Sequence, residues 1–178
     1  MKRTNSIVLA AGCFWCVEAI FSRIKGVVSV LPGYAGGKVS NPTYREVCSG
    51  KTGHAEVVKI EFIPEEIDLS ELFAVFFATH DPTTLNKQGG DVGTQYRSAI
   101  FPTTKEQNRL ALLAIDIVEN SGEWDNEIVT TIEDFDEFYL AEDYHHNYFS
   151  KNAVTPYCNA VIEPKLQKFK SRFSDLLK

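Results

Sequence analysis

Strand-like and helix-like patterns interleave along this chain of 178 residues, and they predict an α+β domain, a two-layer mixed sheet with helices packed on one face. Three observations carry that expectation. Ile7-Val8-Leu9-Ala10-Ala11 is a short continuous apolar run, as in a central strand covered on both sides. Val17, Ile20, Phe21 and Ile24 then recur at i, i+3, i+4, i+7, a helical stripe. Residues 56–63 return to period two, with Val58, Ile60 and Phe62 on one side and Lys59 and Glu61 on the other.

The remaining elements follow in order. Gly26 ends the first helix, and residues 27–34 read as a strand closed by Pro32-Gly33. Residues 35–53 are rich in Gly, Ser, Asn and Pro and read as loop. Asp68-x-x-Glu71 has the form of a capping box ahead of Leu69, Leu72, Phe73 and Phe76, a second helix. Residues 81–95 show no periodicity, and long structureless loops inside domains are usually functional. A strand is expected over 96–101. Thr104-x-x-Gln107 then caps a helix carrying Leu110, Leu113, Ala114 and Ile117. Residues 127–133 alternate again, and Pro164 opens a last helix with Leu166, Phe169 and Phe173 on one face. No repeat, low-complexity tract or linker divides the sequence, so residues 1–178 are expected to form one domain.

Composition narrows the function. With 44% apolar residues, the chain has enough apolar area to offset the entropy of ordering, which excludes intrinsic disorder. Its 24 acidic against 18 basic residues give a net charge of −6, which argues against nucleic-acid binding. No apolar run reaches the roughly 18–20 residues of a membrane span. The apolar stretch behind the basic N-terminus is too short for a secretory signal, so a cytoplasmic enzyme is expected.

The four cysteines, Cys13, Cys16, Cys48 and Cys158, are too few for a disulfide-built scaffold of this length. In a reducing compartment they are buried thiols, a metal site or redox catalysts. Cys13-Phe14-Trp15-Cys16 lies between a buried strand and a helix, and the positive end of a helix favours thiolate over thiol. That points to a nucleophile, since an unperturbed thiol of pKa ~8.5 is mostly protonated at neutral pH. The alternatives are a pair of small core residues, or zinc held with His145 or His146.

Glu56 falls on the apolar face of its strand with Val58, Ile60 and Phe62. Pointing inward, it would have a raised pKa and could deliver a proton at neutral pH. Lying at the strand edge, it would reach solvent. Asn41-Pro42-Thr43-Tyr44 and the segment 88–98, with Asp91 and Tyr96, bring donors, acceptors and flexible backbone to loops that can line a site for a polar oxygen. Tyr34, Tyr139 and Tyr148 read as core tyrosines, His80 as a helix-end core histidine, and Glu133-Asp134-x-Asp136-Glu137 as a solvated face.

Gly12-Cys13-Phe14-Trp15 after an apolar strand resembles the active-site signature of the peptide methionine sulfoxide reductase A family. The resemblance continues through Gly33-Tyr34-x-Gly36-Gly37, Asn41-Pro42-Thr43-Tyr44 and Val47-Cys48-Ser49-Gly50-x-Thr52-Gly53-His54-Ala55-Glu56. It extends to His80-Asp81-Pro82-Thr83, Gln88-Gly89-x-Asp91-x-Gly93-Thr94-Gln95-Tyr96-Arg97-Ser98 and Ala141-Glu142-Asp143-Tyr144-His145. Several motifs in one order are far more specific than any one of them.

The resemblance implies reduction of the S epimer of methionine sulfoxide, free or in proteins, as repair under oxidative stress. Cys13 would attack the sulfoxide sulfur and Glu56 would protonate its oxygen. Tyr44 and Tyr96 would hydrogen-bond that oxygen, and Asp91 would help organise the site. Phe14 and Trp15 would wall the S-methyl group. A sulfenic acid on Cys13 would become a disulfide with a second thiol, to be reset by thioredoxin or a similar dithiol. The family fold is a two-layer α+β domain with a ferredoxin-like core, and it uses no metal and no organic cofactor. The competing reading is a zinc- or thiol-binding module without turnover.

Two features depart from the commonest family pattern. Cys16 stands where many members have glycine, and Cys158 is followed by a Pro164-initiated helix instead of a Gly-rich tail. The resolving thiol is therefore Cys16 or Cys158. Residues three apart in a regular helix hold their Cβ atoms about 5–6 Å apart, whereas a disulfide needs about 3.5–4.5 Å. A Cys13–Cys16 bridge thus requires Cys13 at or before the first helical residue, a turn that Gly12 allows. Cys158, expected in a loop between Pro156 and Pro164, must close a far longer loop. Cys16 is favoured.

Overall fold

The apolar run near the N-terminus forms β1 (Asn5–Ala11). In the computed structural model, which describes residues 1–178, it lies inside a six-stranded sheet. In chain order there follow α1 (Phe14–Phe21), β2 (Val27–Ala35), α2 (Tyr44–Cys48), β3 (Ala55–Phe62) and α3 (Leu69–Ala78). Then come β4 (Lys87–Gln88), β5 (Asp91–Val92), β6 (Ser98–Phe101), α4 (Lys105–Glu119), β7 (Thr131–Ile132), β8 (Phe138–Leu140), α5 (Tyr148–Asn152) and α6 (Glu163–Arg172). The sheet runs β7-β6-β1-β3-β2-β8, with β4 and β5 forming a separate hairpin. Only the β6–β7 pair is parallel; β1 pairs antiparallel with β3 and β6, and β2 with β3 and β8.

The two faces of the sheet are covered differently. Ile7, Leu9, Val58, Ile60 and Ile100 join Phe14, Ile20, Phe21, Leu72, Phe73 and Phe76 of α1 and α3 in the main core. Val8, Ala10, Ala35, Ala55, Val57, Ala99 and Phe101 form a second, smaller cluster under Phe135 and Phe138. One face thus carries helices, as the periodicity predicts, and the other is closed by Phe135 and by Phe138 at the start of β8. No helix is long and apolar enough to cross a membrane.

Several local expectations are corrected. The first helix begins at Phe14, ahead of the Val17 stripe, and ends at Phe21, because Ile24 instead forms a β-bridge with Leu177. The segment 35–53 is not all loop. Thr43 and Glu46 make a reciprocal capping box that starts α2, a signal present in the sequence. Residues 81–95 contain the β4–β5 hairpin, turning at Gly89-Gly90. Tyr96 ends a 3-10 turn, Thr94–Tyr96, and the strand starts at Ser98. The alternation over 127–133 yields only the two residues of β7. Glu133, expected in solvent, is half-buried and takes two hydrogen bonds from the Arg97 guanidinium, at 2.8 and 3.0 Å. Cys158 opens a π-helical turn, Cys158–Ile162, that runs directly into α6, so it is not in a loop.

His80 is a core histidine as expected. Its Nδ1 meets the Phe76 carbonyl, and its Nε2 lies 2.8 Å from the Ser98 hydroxyl.

Candidate active site

The junction of β1 and α1 sets the position of the first thiol. Gly12 turns the chain at φ +87, and an added Cβ would lie 2.6 Å from Cγ of Gln88. Only glycine meets both demands. Gln88 is itself fixed, its amide bonded at 2.9 Å to both the N–H and the carbonyl of Asp81. The close approach brings the hairpin, and with it Asp91, against the start of α1. Cys13 is the N-cap residue of α1, with φ −58 and ψ 123. It therefore sits ahead of the first helical residue, as a bridge to Cys16 requires.

Cys13, Cys16 and Cys158 share one buried cluster with Ala19 and Ile162. All three are free thiols. Cys13 is 7% exposed, Cys16 2% and Cys158 0%. Cys13 and Cys16 also line a groove of about 540 Å³ with Gln88, Asp91, Tyr157 and Lys165. Burial, the hydrogen bond to Cys16 and the nearby Glu56 carboxylate push the Cys13 thiol well up. This corrects the expectation of a thiolate favoured by the helix terminus. The Cys13 side chain makes no capping bond, and the first helical N–H, that of Phe14, is given to Glu56. Cys16 is held below its usual value by the Cys13 hydrogen bond, against burial, with the charge of Lys165 assisting.

Glu56 lies on β3 facing the main core, directly across from Tyr34 of β2. It is 1% exposed, so the inward reading is the correct one. Its Oε1 accepts the Phe14 N–H at 3.1 Å, while its buried Oε2 has no partner. Burial pushes the carboxyl up to about 8, with Asp91 and Cys16 adding to the effect and the Phe14 N–H opposing it. At neutral pH it holds a proton in a place where no protein group receives it.

Tyr44 and Tyr96 are half-buried, and burial and the Glu56 charge keep both hydroxyls protonated. Asp91 is half-buried and accepts the Tyr157 hydroxyl at 2.7 Å. Phe14 is entirely buried under Tyr34, Tyr44, Trp15 and His145, so it forms the floor of the site. Trp15 is half-buried and stacks on Tyr148 with ring centroids 3.7 Å apart.

The sequence reading missed four participants. Tyr157 reaches Asp91; Tyr148 covers Trp15; His145 accepts the Trp15 indole N–H; and Glu142 holds Tyr34 and Tyr44. Tyr34 is a core tyrosine as expected, yet its hydroxyl belongs to this network. For Glu142 and His145 the Ala141-Glu142-Asp143-Tyr144-His145 motif was the visible signal; Tyr148 and Tyr157 lie outside it. His145 and His146 are turned to different tasks, since His146 Nε2 meets the Ala141 carbonyl at 3.0 Å.

A buried thiol beside a protonated carboxyl and two tyrosine hydroxyls suits attack on a sulfur whose oxygen must be protonated to leave. Known proteins carry the same combination of fold and sequence. The family model for peptide methionine sulfoxide reductase matches residues 5–177. "Peptide methionine sulfoxide reductase MsrA" of Trichodesmium erythraeum is 54% identical over 171 residues, covering 96% of this chain and 97% of that protein. The protein of the same name from Sulfolobus acidocaldarius is 53% identical over 94% of each chain. The crystal structure of Mxr1 from Saccharomyces cerevisiae in reduced form superposes with a TM-score of 0.78 at 39% identity, covering 88% of this chain and 90% of that one. Mxr1 in complex with Trx2 superposes with a TM-score of 0.55 at 28% identity, over 82% and 85% of the two chains. Sequence identity above one half along nearly the whole length, joined to this arrangement of thiols and carboxyl, makes the chain a member of the peptide methionine sulfoxide reductase family.

Proposed function

We propose that the chain reduces the S epimer of methionine sulfoxide, free or in proteins, through Cys13, and that a dithiol of the thioredoxin kind resets it. The observation that carries this reading is Glu56, a carboxyl protonated near neutrality whose Oε2 is buried and unpartnered beside the Cys13 helix start. The sulfur of Cys13 attacks the sulfoxide sulfur, and Glu56 gives its proton to the oxygen. The bond formed between Cys13 and the substrate sulfur and the S–O bond of the substrate then both break as the oxygen passes to Cys13, so the thioether leaves reduced by two electrons and Cys13 carries the oxygen as sulfenic acid. The proton lost by the thiol returns to Glu56, so the carboxyl ends as it began. Tyr44 and Tyr96 donate to the oxygen, Asp91 with Tyr157 orders the groove side, and Trp15 over the Phe14 floor holds the S-methyl group.

Cys16 then attacks the sulfenic acid, a disulfide forms and water leaves. Its shared groove with Cys13 and its thiolate-favouring surroundings support Cys16 over Cys158 as the resolving thiol. The Mxr1–Trx2 complex supports thioredoxin as the reductant. The order β1-α1-β2-β3-α3-β6, with strands arranged β6-β1-β3-β2 and all antiparallel, supports a ferredoxin-like core within one domain, 1–178. Four free thiols support a reducing, cytoplasmic setting.

The test is loss of methionine sulfoxide with dithiothreitol as reductant. Turnover abolished by Cys13→Ser, in protein that purifies without zinc, is the expected result. Turnover that survives Cys13→Ser would overturn the reading, and stoichiometric zinc without turnover would restore the binding-module alternative.

A further inference from the structure

Tyr44 is the first residue of α2, a helix of five residues. So short a helix has almost no stability of its own, and its orientation is set by what ties it to the rest of the fold. Its N-terminal N–H groups also need partners from outside the helix. Thr43 and Glu46 satisfy part of that need within the segment, through the Glu46 and Thr43 amides. The Tyr44 N–H goes elsewhere, to Oε2 of Glu142 at 2.9 Å, across 98 residues of sequence.

The other oxygen of Glu142 is equally engaged. Its Oε1 accepts the Tyr34 hydroxyl at 2.8 Å. Tyr34 is wholly buried in β2 and pairs directly with Glu56 across the β2–β3 ladder. Glu142 therefore links the start of α2 to the strand neighbour of the proton donor. It is well placed for this, because the Ala141 N–H beside it is bonded to the Pro32 carbonyl at 2.9 Å, at the edge of the sheet. Burial pushes the Glu142 carboxyl up, but the Tyr44 N–H and the Tyr34 hydroxyl outweigh it and hold the group below the usual carboxylate range. It stays an anion with both oxygens accepting.

We propose that Glu142 is a positioning residue for the reductase step, fixing the Tyr44 hydroxyl over the sulfoxide oxygen by holding the first turn of α2 against Tyr34. The inference rests on the reading of Tyr44 as a donor to that oxygen. Glu142 itself touches no reacting atom, and its effect passes entirely through Tyr44. This gives the Ala141–His145 motif a definite task at the oxygen side of the site.

A double-mutant cycle tests it, with single-turnover reduction of free methionine sulfoxide by the reduced full-length enzyme as the readout. Tyr44→Phe should slow the step about tenfold, the worth of one hydrogen bond to the reacting oxygen. Glu142→Ala should cost a similar factor, and in the Tyr44→Phe background it should cost less than about twofold more. Glu142→Gln should recover most of the rate. Its amide oxygen can accept the Tyr44 N–H while its amide N–H donates to the Tyr34 hydroxyl. This conservative variant also serves if Glu142→Ala fails to fold. Losses that multiply to roughly 100-fold in the double variant would show a general structural role and overturn the inference. A Glu142→Gln variant as slow as Glu142→Ala, or in its absence as slow as Tyr44→Phe, would overturn it as well. A normal rate in Tyr44→Phe would instead remove the reading of Tyr44 on which the inference rests.

Discussion

The Trp15 indole N–H donates to Nδ1 of His145 at 2.9 Å, joining residues 130 apart in sequence. The bond dictates the state of the imidazole. With Nδ1 accepting, the ring proton must sit on Nε2, and a second proton on Nδ1 would oppose the indole N–H. Burial in the aromatic cluster holds His145 down to about 4. In a Trp124→Phe background, Trp15 fluorescence should therefore be steady from neutral pH down to about 5 and change with a midpoint near 4. A midpoint near the ordinary histidine value of ~6.5 would contradict this relationship.

Glu56→Gln should slow single-turnover reduction by about 10²–10⁴, the usual loss on removing a general acid. The deficit should narrow at low pH, where other acids can protonate the oxygen. The same variant has a stability signature. Glu56 is raised to about 8 and Glu18, buried on α1, to about 7. Each binds its proton more tightly folded than unfolded, so its contribution is complete below the unfolded value and is lost as pH rises through the folded one. His80 and His145, both near 4, work in the opposite sense as pH falls below ~6.5. Thermal stability should thus decline between pH ~6.5 and 8, at up to about 1.4 kcal/mol per pH unit and group, and Glu56→Gln should flatten that decline. A wild-type melting temperature that is constant or rises over this range would exclude the buried, protonated carboxyl.

Gly12→Ala should destabilise the fold by about 2–4 kcal/mol, combining left-handed backbone strain with overpacking against Gln88. Urea unfolding measures it. The expected companion is a slower reductase step, because Gln88 and the hairpin bearing Asp91 would be displaced from the start of α1. A loss below about 1 kcal/mol would mean that Gln88 yields freely.

Oxidation by one equivalent of methionine sulfoxide, followed by digestion without reductant, should give linked peptides containing Cys13 and Cys16, with Cys158 still alkylatable. A Cys13–Cys158 crosslink with Cys16 alkylatable would reverse the assignment. The expected bridge follows from the N-cap position of Cys13, whose backbone is not yet helical.

Much of this was legible in the chain. The alternation with Val58, Ile60 and Phe62 put Glu56 on the apolar face but left a strand-edge position open, and its 1% exposure decides for the inward one. The Cys13 location followed from an apolar strand running into a helical stripe through glycine. The Cys13 thiol was misjudged because pattern cannot tell which group takes a helix-terminal N–H, and here Glu56 takes it from 42 residues away. The hairpin at 87–92 escaped notice since two-residue strands leave no periodicity. Tyr157, Tyr148, His145 and Glu142 reach the site only through tertiary contacts, and nothing in their spacing announces them.

The last residues of the chain are stitched to the end of the first helix. Leu177 bridges Ile24, the Lys178 N–H reaches the Arg23 carbonyl at 3.0 Å, and the Lys25 N–H reaches Leu176 at 2.8 Å. Any affinity tag or partner fused behind Lys178 would be attached one residue after Leu177, which is already part of a β-bridge. Pulling on that end would load the same short stretch of chain that anchors the helix holding Cys16. Fusions and surface tethering are therefore better made at the N-terminus, where Met1 is fully exposed and four residues precede the first strand.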